Sequence, residues 1–163
     1  CNKYGIQVYS SIAGGSNYNI VANNTIFASY GGIVIGGADI GRGRPTVDHN
    51  TIINNIVYEI TSYGFHVSGI FGSHNITSNN LTFKDGANYS RTYTNHTNDI
   101  VSDPLFVNYT GSAIGDYHLQ PGSPAIGAGA AELAPTLDFE FNLRRQMPSL
   151  GAYESQTQST NKM

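Results

Sequence analysis

NIVANNTIF (19–27), TVDHNTII (46–53) and NITSNNLTF (75–83) follow one pattern: an apolar residue, a polar step, one or two Asn, then a β-branched or apolar pair. They align on Asn24, Asn50 and Asn80. A second pattern lies between them. YGIQV (4–8), GGIVI (31–35) and YGFHV (63–67) each place Gly before an apolar, variable, apolar triplet and align on Gly5, Gly32 and Gly64. The Asn positions are 26 and 30 residues apart and the Gly positions 27 and 32. Two markers recurring in the same order with matching drift describe one structural repeat of roughly 27 to 32 residues, the period of a solenoid coil.

The strands inside such a coil are short and alternate. Ile6 and Val8, Ile33 and Ile35, and Phe65 and Val67 then point to one shared core. Gln7, Val34 and His66 stack on the outside of the same sheet, about 4.8 Å apart. Asn at the bend between the second and third strands fits because it tolerates the left-handed backbone region, and its amide can bond to copies of itself in adjacent coils. Gly, Asn and Ser interrupt every window long enough for an amphipathic helix, so the fold class is all-β. The architecture expected is a right-handed parallel β-helix of about three coils over residues 1–100. Residues 84–99, KDGANYSRTYTNHTND, read as a long loop, residues 101–154 as a terminal segment and residues 155–163 as a polar, disordered tail.

Composition agrees with this reading. The 163 residues carry 12% charged side chains, 19 Gly and 11 Tyr, with a formal net charge of -3. No basic cluster larger than Arg144-Arg145 is present, which argues against nucleic acid as a partner. No run of about 20 apolar residues forms a membrane span. The single Cys1 cannot form an intrachain disulfide. Asn-x-Ser/Thr signals at Asn23, Asn75, Asn80, Asn88, Asn95 and Asn108 point to a secreted or cell-surface glycoprotein.

Residues 103–154 hold four ordered blocks: DPLFVN (103–108), DYHLQPGSPAIGAG (116–129), DFEFNLRR (138–145) and LGAYE (150–154). This string resembles the C-terminal segment common to secreted right-handed β-helix proteins of the pectate-lyase-like superfamily. Gly127 stands where that pattern has Asp, Phe141 where it has Gly and Leu143 where it has Pro. The resemblance implies a final-coil or capping segment that covers the last coil and its unpaired strand edge. With only about three coils ahead of it, the first edge is expected to be covered by upstream coils of the same chain or by another chain.

In polysaccharide lyases of that superfamily, the resemblance further implies, substrate lies along the outward face of one sheet. Carboxylates or Ca²⁺ neutralise the uronate there while Lys, Arg or His removes the adjacent proton. On that analogy His66 is the candidate base. Gln7, Arg42, Arg44, Glu59 and Tyr63 are candidate substrate-binding residues, the two arginines lying in the Gly-rich turn GGADIGRGRP (36–45). The acidic residues form no Ca²⁺ set, and the spacings of His49, His74, His96 and His118 define no metal site, so no metal or cofactor is expected within these residues; any Ca²⁺ is expected in coils upstream. The partner expected is a polysaccharide, and the reaction, if any, a lyase or glycoside-hydrolase step. A non-catalytic surface or adhesive solenoid is the competing reading, since fold alone does not fix function.

Overall fold

The computed structural model describes residues 4–11, 15–37, 47–69, 72–90 and 95–155. Cys1, the turn bearing Arg42 and Arg44, and the tail from 156 onward lie outside the described residues. The chain winds through three full coils and an abbreviated fourth. The first coil has β1 (Tyr4–Ser10), β2 (Ile20–Ala22) and β3 (Thr25–Phe27); the second has β4 (Gly31–Gly37), β5 (Thr51–Ile53) and β6 (Ile56–Tyr58). The third has β7 (Tyr63–Gly69), β8 (Ile76–Ser78) and β9 (Leu81–Phe83), and the fourth β10 (Ala87–Tyr89), β11 (His96–Thr97) and β12 (Ile100–Val101). Equivalent strands pair in parallel, giving three sheets in the orders β1-β4-β7-β10, β2-β5-β8-β11 and β3-β6-β9-β12. This is the right-handed parallel β-helix expected. The stretch 84–99, read from sequence as a loop, instead contributes the first two strands of the fourth turn. Its strands of two or three residues are too short to carry a hydrophobic alternation.

The Gly-marked triplets stack in the predicted register: Ile6, Ile33 and Phe65 are aligned, as are Val8, Ile35 and Val67. They point inward and join Val21, Ile26, Ile52 and Val57 in one core. The glycine before each triplet has a steric cause. A Cβ at Gly32 would lie 2.2 Å from the Gly64 carbonyl oxygen and 2.7 Å from Val57, so this corner of the coil admits no side chain.

The Asn column requires a correction. Asn24, Asn50 and Asn80 do not form one ladder, because Asn50 occupies a different bend. One column runs Asn24–Asn55–Asn80 between the second and third sheets, with amide to carbonyl distances of 2.9 Å at both steps. The other runs Asn19–Asn50–Asn75 at the entrance to the second sheet. Both columns are offset by 31 and then 25 residues. The segment equivalent to NIVANNTIF is therefore NTIINNIVY (50–58). In each column the side-chain oxygen accepts both the backbone N–H and the amide N–H of the Asn one coil earlier. The residue just before each member of the inner column, Asn23, Asn54 or Asn79, takes a positive φ of 53 to 60° and turns its side chain outward. Asn bears that backbone region at little cost.

The terminal segment runs back along the side of the stack. Strands β13 (Phe106–Asn108) and β14 (Asp116–Leu119) form an antiparallel pair. Phe106, Tyr117, Leu119, Ala125 and Leu150 pack on the outward residues of the third sheet, including Phe27, Ile56, Tyr58, Leu81 and Phe83. The outward Asn side chains anchor it: Asn79 donates to Ala128 O, Asn54 exchanges two bonds with Ala130, and Asn23 donates to Ser149 O. The physical reason is the aromatic that ends three of the four third-sheet strands, Phe27, Tyr58 and Phe83, which leaves an apolar outer face in need of cover. Strands β3, β6 and β9 are thus packed on both sides.

A polar lock closes the segment. Asp138 accepts the backbone N–H groups of Glu140, Asn142 and Glu154 and the Asn142 amide. Burial works to raise its pKa, but these bonds outweigh it and hold the carboxyl below its ordinary range. The Arg144 guanidinium, almost wholly buried, donates to the carbonyls of Ser149, Gly151 and Ala152 and lies 3.6 Å from Glu154.

Candidate functional site

The outward position shared by Gln7, Val34 and His66 lies on β1, β4 and β7 in register. The three do not form the even outer ladder expected. Gln7 is exposed, Val34 is completely buried and His66 is half-buried. Since β4 is covered along its whole length, Gln7 and His66 are separated by a buried strand and do not share a surface.

Beside His66 is a cleft of about 150 Å³ lined by Tyr4, Tyr30, Gly31, Ser62, Tyr63 and His66. Tyr63 opens β7, and its ring stacks on His66 at 5.1 Å with an interplanar angle of 8°. Tyr4 and Tyr30 meet edge to face at 6.5 Å. Tyr30 remains half exposed, so its ring is open to solvent on one side. The His66 Nδ1 is buried without a hydrogen-bond partner, and desolvation pushes its pKa below the ordinary imidazole value. The neutral ring is therefore the form present at neutral pH. Among the described residues, none with a charged side chain lines this cleft.

Glu59 does not join His66 and Tyr63. It lies in the bend after β6 with a positive φ and accepts a close hydrogen bond from the Tyr109 hydroxyl. That bond ties it to the terminal segment. Arg42 and Arg44 fall outside the described residues; of the predicted residues that are described, only Tyr63 is brought to His66. Tyr4 and Tyr30 complete the rim.

Three of the six Asn-x-Ser/Thr signals belong to buried asparagines, at Asn23, Asn75 and Asn80. Their amides are committed to the columns and to the terminal segment. Asn95 and Asn108 are the exposed ones.

A second cluster escaped the sequence reading. At the bend before the second sheet, Tyr18, His49 and His74 stack one per coil, with ring centroids 4.9 and 4.6 Å apart. Asp48 lies against them, its Oδ2 at 2.8 Å from His74 Nδ1 and 3.5 Å from His49 Nδ1. The hydrogen bond from His74 holds the Asp48 carboxyl below its usual range. His49 and His74 are 25 residues apart, so no local motif shows the pair; the signal is that each precedes an Asn of the outer column, as Tyr18 does.

On the terminal segment, His118 Nδ1 is 2.6 Å from Asp116 and its Nε2 3.0 Å from Glu140. Burial opposes the imidazolium, but the bonds to Asp116 and then Glu140 prevail and raise the His118 pKa.

No family model matches the chain, and no curated protein is similar to it. The family resemblance in the terminal segment therefore remains one of motif, and function rests on the geometry above.

Proposed function

We propose that this chain is the carbohydrate-binding terminal part of a secreted β-helix protein, taking a uronate polysaccharide against the Tyr-rimmed cleft of the first sheet. The observation that supports the reading is the grouping of Tyr4, Tyr30, Tyr63 and His66 on one shallow, half-exposed rim. Aromatic faces of this kind pack on the C–H faces of sugar rings, and Ser62 supplies a hydrogen-bonding group. Binding is favoured over cleavage. Proton abstraction beside a carboxylate needs a base together with a positive group for the developing charge, and His66 has no such companion among the described residues. The same observation favours the non-catalytic solenoid among the two readings of the sequence.

The test is titration of the protein with oligogalacturonate, oligomannuronate and a neutral glucan oligomer, followed by tyrosine fluorescence and calorimetry. Saturable binding of a uronate oligomer, weakened about tenfold by Tyr63→Ala and by Tyr30→Ala, is the expected result, one stacking contact being of order 1 kcal/mol. No saturable binding by any of the three would remove the proposal. Release of unsaturated product absorbing in the ultraviolet would replace binding with lyase action.

A further inference from the structure

The geometry points to a second site, a transition-metal site of the Zn²⁺ class formed by Asp48, His49 and His74 on the outside of the bend that precedes the second sheet. Their three donor atoms lie within 4.8 Å of one another. Two ligands of a tetrahedral Zn²⁺, each at about 2.0–2.1 Å, stand about 3.3 Å apart. Asp48 Oδ2 is 2.8 and 3.5 Å from the two imidazole Nδ1 atoms, so the carboxylate oxygen already has the spacing that a shared ion requires.

The carboxylate is positioned by the fold. Its Oδ1 accepts the backbone N–H groups of His49 and His74, which leaves Oδ2 directed at the two rings. It also lies directly on Gly72, where an added Cβ would fall 2.1 Å from the carboxyl carbon. The coil-to-coil register does the rest, stacking His74 on His49. Both imidazoles are well exposed, at 45% and 65%, so an ion has access and a solvent molecule can complete the coordination.

Binding has a defined proton balance. Asp48, ionised, can only accept, so the hydrogen on His74 Nδ1 is what makes their 2.8 Å contact. In the neutral ring an ion bound at Nδ1 selects the other tautomer, so that hydrogen passes through solvent from Nδ1 to Nε2 and none is released. The near-parallel rings, 17° apart, must tilt towards each other to aim both nitrogens at one ion. Their exposure permits this rotation. Hard cations such as Ca²⁺ and Mg²⁺ find one carboxylate and two nitrogens here, a poor set for them.

Zinc chloride titrated into the untagged, chelator-treated protein is expected to show one saturable equivalent. His49→Gln and His74→Gln should each weaken it by at least about tenfold, and Gly72→Ala should do the same by displacing the carboxylate. Calcium and magnesium should give no saturable signal. Co²⁺ on the unaltered chain provides a measurement that needs no variant: visible absorption of nitrogen-ligated Co²⁺ is expected at equimolar ion. Absence of that absorption, or zinc binding unchanged in the doubly substituted His49→Gln, His74→Gln protein, would overturn the assignment.

Discussion

Asp85 shows how one side chain couples this fold to pH. Its carboxylate accepts from the Thr82 hydroxyl and from Ile60 N, but burial dominates and pushes its pKa from 3.8 to about 6. The folded chain thus holds a proton that the unfolded chain has already lost, and stability falls as pH rises from about 4 to about 6. Above pH 6 the cost is fully present. Asp85→Asn keeps an acceptor for Ile60 and gives Thr82 a donor. The variant should melt several degrees higher than the parent at pH 7.5 and at the same temperature near pH 4, measured by calorimetry; equal midpoints at both would show that Asp85 does not set the slope. His118 adds a contribution of the same sign. Its raised pKa stabilises the fold at acid pH, and the effect is lost as pH climbs through the folded value. Comparing parent with variant isolates Asp85 because His118 is common to both. Phe141 has a φ of 66°, which explains why the related pattern carries Gly at that point.

At the level of strands and bends, the Asn columns carry the specificity that three-residue strands cannot. Asn55 is fully buried; it donates to Val21 O, Ile53 O and Asn80 Oδ1, and accepts from Asn24. A carboxylate there would face carbonyl oxygens with nothing to donate. Asn55→Asp is therefore expected to cost about 3 kcal/mol or more in urea unfolding, whereas Asp99→Asn, at the last position of the same column, should cost under about 1 kcal/mol. Equal losses would mean that the ladder is not what distinguishes them. The sequence revealed the repeat because Gly5, Gly32 and Gly64 are dictated by one crowded corner, and a steric rule leaves the same letter in each of the three full coils. It misassigned Asn50 because two Asn columns share one composition, and only coil register separates them. The site was less legible. Asp48, His49 and His74 meet through an offset of one coil, and the Tyr rim through three different bends, neither of which leaves a local motif.

Across the whole molecule, two cores share one sheet. The inner core fills the coils, the outer lies between the third sheet and residues 103–154, and Ile56, Tyr58 and Leu81 on the second face are buried only because the terminal segment is there. This predicts a single cooperative unfolding transition reported alike by far-ultraviolet dichroism and tyrosine fluorescence. A chain truncated after residue 102 should lose that transition and bind a hydrophobic dye. A truncated chain that melts cooperatively without binding dye would show the coils to be self-sufficient.

The inner amide column stops at Asp99, which takes both N–H groups of Asn80 and has no hydrogen to pass on. The relay of bonds has a direction, and its final member can only receive. A further coil stacked there would meet no side-chain N–H of the kind that each earlier step of the column supplies. The arrangement opposes head-to-tail fibre growth at that end, so the same winding that makes a rigid rod also carries its own terminator.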